Sequence, residues 1–255
     1  MSKGKKILKK GILCIIGSIL VILIIWLIIS HFVLNKGEES PYYQPETRHQ
    51  QASVTSVEDS VTLGWLMVQG TNIDYPVVYE TNSVYQGLYD YAWVSNHYIE
   101  GENRMVIFGH NVLNISNKPI IGDKDHTRFE QLMGFVYEDF AKENLYIQYS
   151  HDGGDELYKI YAVNFEEHDT DIGKSSNNAN ELKEYIKLVR QNSIYDYDID
   201  VNENDQLITL STCTRFFGAN GKTTFKVDAR KVRSSEKINK YEVQKSKNYD
   251  MFNLE

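Results

Sequence analysis

The chain has 255 residues, 42% of them hydrophobic, with 18 Tyr and 10 Phe. That excludes a disordered polymer and allows one domain of ordinary size with an appendage. The formal charge is −8, and setting aside Lys3, Lys5, Lys6, Lys9 and Lys10 leaves 22 basic against 35 acidic residues, a balance that argues against nucleic acid or an anionic membrane surface as partner of the remainder.

Residues 11–34 (GILCIIGSILVILIIWLIISHFVL) carry no Asp, Glu, Lys or Arg. As a helix they span roughly 36 Å, enough to cross a hydrocarbon core with some tilt. A cleaved signal peptide has a shorter apolar region ending in a small-residue site, and none follows Leu34. The run therefore reads as an uncleaved transmembrane anchor. The lysines ahead of it keep residues 1–10 in the cytoplasm by the positive-inside rule, and the expected location is a single-pass protein of the cell membrane with its bulk outside.

Residues 35–60 read as a polar linker with a short helix within 46–59. Short strands begin at Val61, with 63–68 and 73–79 separated by Gly70; Pro76 confines the second to an edge or a bulge. Residues 104–108 (RMVIF) form a compact apolar strand, 127–133 a helical turn or two, and 145–149 and 157–165 a hairpin around Gly153-Gly154. Residues 178–192 form an amphipathic helix, with Leu182, Tyr185, Ile186 and Val189 on one face. A strand ending at Cys213 follows, then a Gly-containing loop and a last strand over 223–232. Residues 234–255 are polar and expected to be loosely held. Many strands and few helices imply a mainly β, α+β domain resembling a barrel, with its folded part over 61–233.

Only two cysteines occur, and Cys14 lies within the predicted span, so Cys213 is a single thiol on the outer side. Such a residue is either a small buried hydrophobe or a reactive thiol. A nucleophilic cysteine needs a base or acid partner and a donor that stabilises charge during acyl transfer. Of the seven histidines, His110 alone directly follows a predicted buried strand, where a rigid element can hold it.

"TLSTC" (209–213) ending a strand, with "FGHN" (108–111) about a hundred residues earlier and "IDYPVV" (73–78) before that, resembles the sortases, membrane-anchored cysteine transpeptidases of Gram-positive bacteria. The helix ahead of the Cys213 strand and the possible helix before the barrel are similar to class B. The resemblance covers about residues 63–232. It implies a closed β-barrel with peripheral helices, Cys213 as nucleophile and His110 as general acid/base. The substrate would be the sorting-signal peptide of secreted surface proteins, cleaved after Thr and carried as a thioacyl enzyme to an amine. The amine would come from a cell-wall precursor or, in pilus assembly, from a pilin lysine; with water as acceptor the same pair would make a protease.

Ser211, on the thiol's face by strand period, would line the peptide groove, and Asn82 is similar in placement to a groove asparagine of class B. The family's third residue is an arginine on the strand after the cysteine, and here Thr224 stands at that position. Arg215 is the nearest replacement, Arg230 lies farther along, and without a replacement the chain would be a binding domain derived from a sortase.

Asp198–Asp205 (DIDVNEND) resembles a calcium loop only faintly, with Glu203 where Gly is needed, and reads as a solvated acidic turn. No metal or nucleotide cofactor is implied. Tyr85, Tyr89, Tyr91, Trp93 and Tyr98 read as packing residues before groove residues, and the sequon at Asn114 means little in an exported bacterial protein.

Overall fold

The computed structural model describes residues 17, 21, 23–26, 42–54, 60–81, 91–95, 97–111, 127–167, 177–218 and 223–252. It divides into two units, Met1–Pro41 and Tyr42–Glu255. In the first, Gly17, Val21 and residues 23–26 are helical and exposed. No helix among the described residues is long and apolar enough to cross a membrane, and most of the expected anchor lies outside them.

In the second unit, eight strands close a barrel. They are β1 (Thr62–Val68), β2 (Asp74–Tyr79), β3 (Ala92–Val94), β4 (Arg104–Phe108), β5 (Tyr146–His151), β6 (Gly154–Glu167), β8 (Leu207–Thr214) and β9 (Thr223–Lys231). Their order round the barrel is β1-β2-β3-β4-β8-β9-β6-β5, and β7 (Tyr195–Tyr197) pairs separately with β10 (Val243–Lys245). Most contacts between neighbours are antiparallel, but β2 runs parallel to β3 and β4 parallel to β8. A parallel pair needs a long crossover. Here the one between β4 and β8 contains the β5–β6 hairpin and the helix Ala179–Asn192.

Hydrophobic alternation fixes which faces turn inward. Ile208 and Leu210 of β8, Val227 and Ala229 of β9, and Ile107 of β4 are fully buried. The 3₁₀ helix Phe129–Val136 is buried at every residue, an unusually long run for this helix type. Full burial of Phe129 alone contributes about 3 kcal/mol. In the β5–β6 hairpin, Gly154 at φ +126° supplies a backbone conformation closed to residues with a Cβ.

Several expectations change in detail. Pro76 is in a closed barrel and not on an edge: it pairs with Trp65 on β1, while the β3 pairing begins one residue later at Val77–Ala92, so β2 has one registered neighbour at the proline. In the helix Ala179–Asn192, Leu182, Ile186 and Val189 are buried as expected, and the Asn178 side chain caps it by accepting from the Asn180 and Glu181 N–H groups. Tyr185 departs from the apolar face, since its hydroxyl donates to Asp228 at 2.6 Å and sits 3.2 Å from the Thr209 hydroxyl. The acidic turn keeps Asp198 and Asp200 exposed, as expected, but Asp205 is buried and accepts from the Arg233 guanidinium at 2.8 Å.

The largest correction concerns the segment after Arg233, which is packed along the domain. Glu236 accepts from Lys159 at 2.7 Å and from the buried Arg230 at 2.5 and 2.8 Å. Lys245 pairs with Tyr195 in the β10–β7 ladder. Ser246 donates to the Ser193 carbonyl at 2.6 Å, and Tyr249, in the 3₁₀ turn Tyr249–Phe252, is buried against Tyr195. A polar composition concealed this because the anchoring groups are themselves charges and hydroxyls that meet buried partners.

Candidate active site

β4 and β8 run parallel in register from Arg104–Leu207 to Phe108–Ser211. The pairing carries on past that point: the Gly109 N–H donates to the Ser211 carbonyl at 3.3 Å, and the Thr212 hydroxyl donates to the Gly109 carbonyl at 2.7 Å. His110 and Cys213 are each two residues beyond the last registered pair. They therefore leave neighbouring strand ends side by side and on the same face, because side-chain direction repeats every two residues. Cys213 is the one exposed residue of β8, and His110 is half-buried.

The glycine between the strand and His110 has a packing reason. A Cβ at Gly109 would lie 2.4 Å from the Phe129 ring, so only glycine admits that close approach. Phe129 also donates its N–H to the His110 carbonyl at 3.1 Å, which fixes the backbone of the histidine. On its other side the imidazole lies against Trp93, with ring centroids 4.7 Å apart and tilted by 50°. Trp93 is registered opposite Phe108 and stacks on it at 6.3 Å. Trp93 is thus a site residue that sequence reading had placed among general packing aromatics. Its only sequence signal was the brief apolar stretch around it.

Across β8 and β9, Cys213 pairs with Thr224, Ser211 with Lys226 and Thr209 with Asp228, so these residues share the thiol's face. Thr224 stands where the resemblance leads one to expect arginine; its hydroxyl is 3.4 Å from the Glu166 carbonyl. Lys226 is buried and engaged with the Glu166 carboxylate at 2.5 Å. Arg215 lies exposed in the turn after β8, whose form is set by a Gly218 N–H to Arg215 carbonyl bond of 2.9 Å. Ser211 is buried on the thiol's face, two residues before Cys213. Arg230 is committed to Glu236 near the opposite end of β9. Asn82 lies outside the described residues, as do Tyr85 and Tyr89; Tyr91 and Trp93 are buried.

Below the thiol the same face holds a buried polar cluster. Asp228 accepts from the Thr209 and Tyr185 hydroxyls, both at 2.6 Å, and Arg104 lies 3.6 Å over the Tyr185 ring. Burial pushes the Asp228 carboxyl above its ordinary value, against the opposing pull of Arg104 and the two hydroxyls. Among the described residues no group of His, Cys, Asp and Glu side chains is arranged to hold a metal ion. The arrangement offers a thiol, an imidazole and an exposed guanidinium, the parts of covalent acyl transfer.

No family model matches the sequence. Among curated proteins the chain is 22% identical to sortase B of Staphylococcus aureus (strain NCTC 8325 / PS 47), over 80% of this chain and 90% of that one. It is 26% identical to sortase B of Listeria monocytogenes (strain ATCC BAA-679 / EGD-e), over 59% of this chain and 62% of that one. The structure of Clostridium perfringens sortase B matches 68% of this chain and 94% of its own, at 26% identity and a TM-score of 0.56. The Staphylococcus aureus sortase B-substrate complex shares the fold at 19% identity and a TM-score of 0.58, covering 74% of this chain and 88% of that chain. With the closed barrel already described, these likenesses make the chain similar in sequence and in fold to the class B sortases.

Proposed function

We propose that Cys213 is the nucleophile and His110 the general acid/base of a transpeptidase that cleaves a sorting-signal peptide after Thr. One observation carries the assignment: the β4–β8 register brings the two residues out of adjacent parallel strands, one level and one face together. The Cys213 thiolate attacks the Thr carbonyl carbon, and the tetrahedral intermediate collapses to a thioester as His110 protonates the departing amine. An incoming amine then attacks the thioester, gives its proton to His110 and releases the thiolate. A peptidoglycan-precursor amine is the leading acceptor and a pilin lysine the alternative. Arg215, exposed two residues after the thiol, is the candidate donor to the oxyanion. The charge-free span over residues 11–34 behind five lysines supports an anchored protein with this domain outside the cell.

Thr224 directly opposite Cys213 favours one rival, a non-catalytic binding domain. Intact mass spectrometry of the full chain in detergent, mixed with sorting-signal peptides with and without an amine, separates the two. Transpeptidation gives an acyl adduct that is absent from Cys213→Ala and that the amine converts to ligated peptide. A folded protein whose thiol alkylates readily yet never acquires an adduct would sink the enzymatic reading. An adduct released at the same rate with or without amine would make it a hydrolase.

A further inference from the structure

The face of the sheet opposite the thiol is closed by aromatic rings where β8 ends. Thr212, the neighbour of Cys213, pairs with Phe225, and Phe225 pairs with Phe165 on β6, so these side chains share the face turned away from the thiol. Phe225 is fully buried and Phe165 nearly so. Four rings pack on Phe165: Phe225 at 4.9 Å, Phe216 at 5.3 Å, Phe217 at 4.8 Å and Phe252 at 5.2 Å. Phe216 and Phe217 are the turn that directly follows the thiol's strand. Phe252 belongs to the C-terminal 3₁₀ turn and also meets Phe217 at 5.6 Å.

The path by which Phe252 arrives is fixed at each step. Glu236 is ion-paired to Arg230 and Lys159, and β10 is laddered to β7. The Ser246 N–H donates to Ile194 at 3.1 Å, and the Asn248 carboxamide donates to Gln191 at 2.7 Å. The last ring of this strap lands on the turn that carries Arg215 and begins two residues after Cys213. An exposed turn held only by its own Gly218–Arg215 bond and by the Phe216 N–H to Thr214 hydroxyl bond would sample many arrangements. Docking Phe216 and Phe217 against Phe165, with Phe252 against Phe217, restricts that freedom, and acyl transfer is sensitive to displacements of about 1 Å.

We propose that Phe252 is a positioning residue for the active site: through Phe217 and Phe165 it holds the turn after Cys213, so the C-terminal strap is part of the catalytic apparatus. The inference goes beyond the acyl-transfer reading and rests on it only for the peptide assay.

The test uses the full chain in detergent as wild type, Phe252→Ala and Phe252→Tyr, each assayed below the onset of its own melting. Two rates are read: acyl-adduct formation over a range of sorting-peptide concentrations, and iodoacetamide alkylation of the Cys213 peptide across pH. Phe252→Ala is expected to lower the saturated acylation rate by about tenfold or more with half-saturation little changed. The aromatic Phe252→Tyr should stay near wild type. Equal rates for Phe252→Ala and wild type would overturn the proposal, as would Phe252→Tyr losing as much as Phe252→Ala. If wild type itself forms no adduct, the acyl-transfer reading fails separately and alkylation decides: a rate or pH profile altered in Phe252→Ala and kept in Phe252→Tyr upholds positioning, and identical profiles refute it.

Discussion

Thr224 is the registered partner of Cys213 across β8 and β9, which puts a short hydroxyl beside the thiol where a cation would serve an oxyanion. Lys226, one pair along on the same face, is committed to Glu166, leaving Arg215 as the exposed guanidinium nearest in sequence. Arg215→Ala should lower acylation by about 10²-fold, the usual effect of removing one such donor. Its melting temperature should hardly move, because the side chain is exposed. Adding Thr224→Arg to that variant should restore much of the rate. Unchanged turnover in Arg215→Ala would show that the donor lies elsewhere.

Gly109 and Phe129 form the packing joint under His110. In Gly109→Ala the new methyl meets the ring at 2.4 Å, and buried backbone on one side and a fully buried ring on the other leave little room to relax. The expected cost is about 1–3 kcal/mol, the range for overpacked cores. A denaturant titration measures it. Acylation should fall further than the folded fraction does, because His110 is displaced with Gly109; a stability loss with full activity in the folded fraction would contradict this linkage.

Much of the site could be read from the chain because its two strands are short apolar runs that end in chemistry. The stretches RMVIF before Gly109-His110 and LITL before Ser211-Thr212-Cys213 identify themselves. Their adjacency could not be read locally, since parallel pairing of β4 with β8 joins residues about a hundred apart. Trp93 stayed hidden in a strand of three residues, too short for any period to register. The C-terminal strap stayed hidden for a different reason. Its contacts are Glu236 with Arg230, Ser246 with Ser193 and a few rings, and a hydropathy pattern does not register partners of that kind.

Tyr185 and Asp228 tie the helix Ala179–Asn192 to the barrel under the thiol's face. Removing the hydroxyl in Tyr185→Phe keeps the ring beneath Arg104 and takes away one of the two hydroxyl bonds to a buried carboxyl. A loss of about 1–3 kcal/mol in urea unfolding is expected, the range for orphaning a buried polar group. A change within error would mean that water or another group takes the vacated place.

Glu236 gives the strap a pH dependence whose direction is set. Burial opposes its charge, but bonds from Arg230, Lys159 and the Arg233 N–H outweigh that and lower its carboxyl from 4.5 to about 2. A carboxyl depressed in the folded state stabilises fully above its unfolded value and loses that contribution as pH falls through the folded one. Wild type should therefore melt above Glu236→Gln at neutral pH, by the equivalent of about 1–2 kcal/mol for charge-assisted bonds at a partly exposed group. The gap should hold down to about pH 4.5 and close as pH approaches 2. Melting curves of both proteins from pH 7 to pH 2 check this, and a gap that persists at the acid end would mean that Glu236 holds the strap by shape and not by charge.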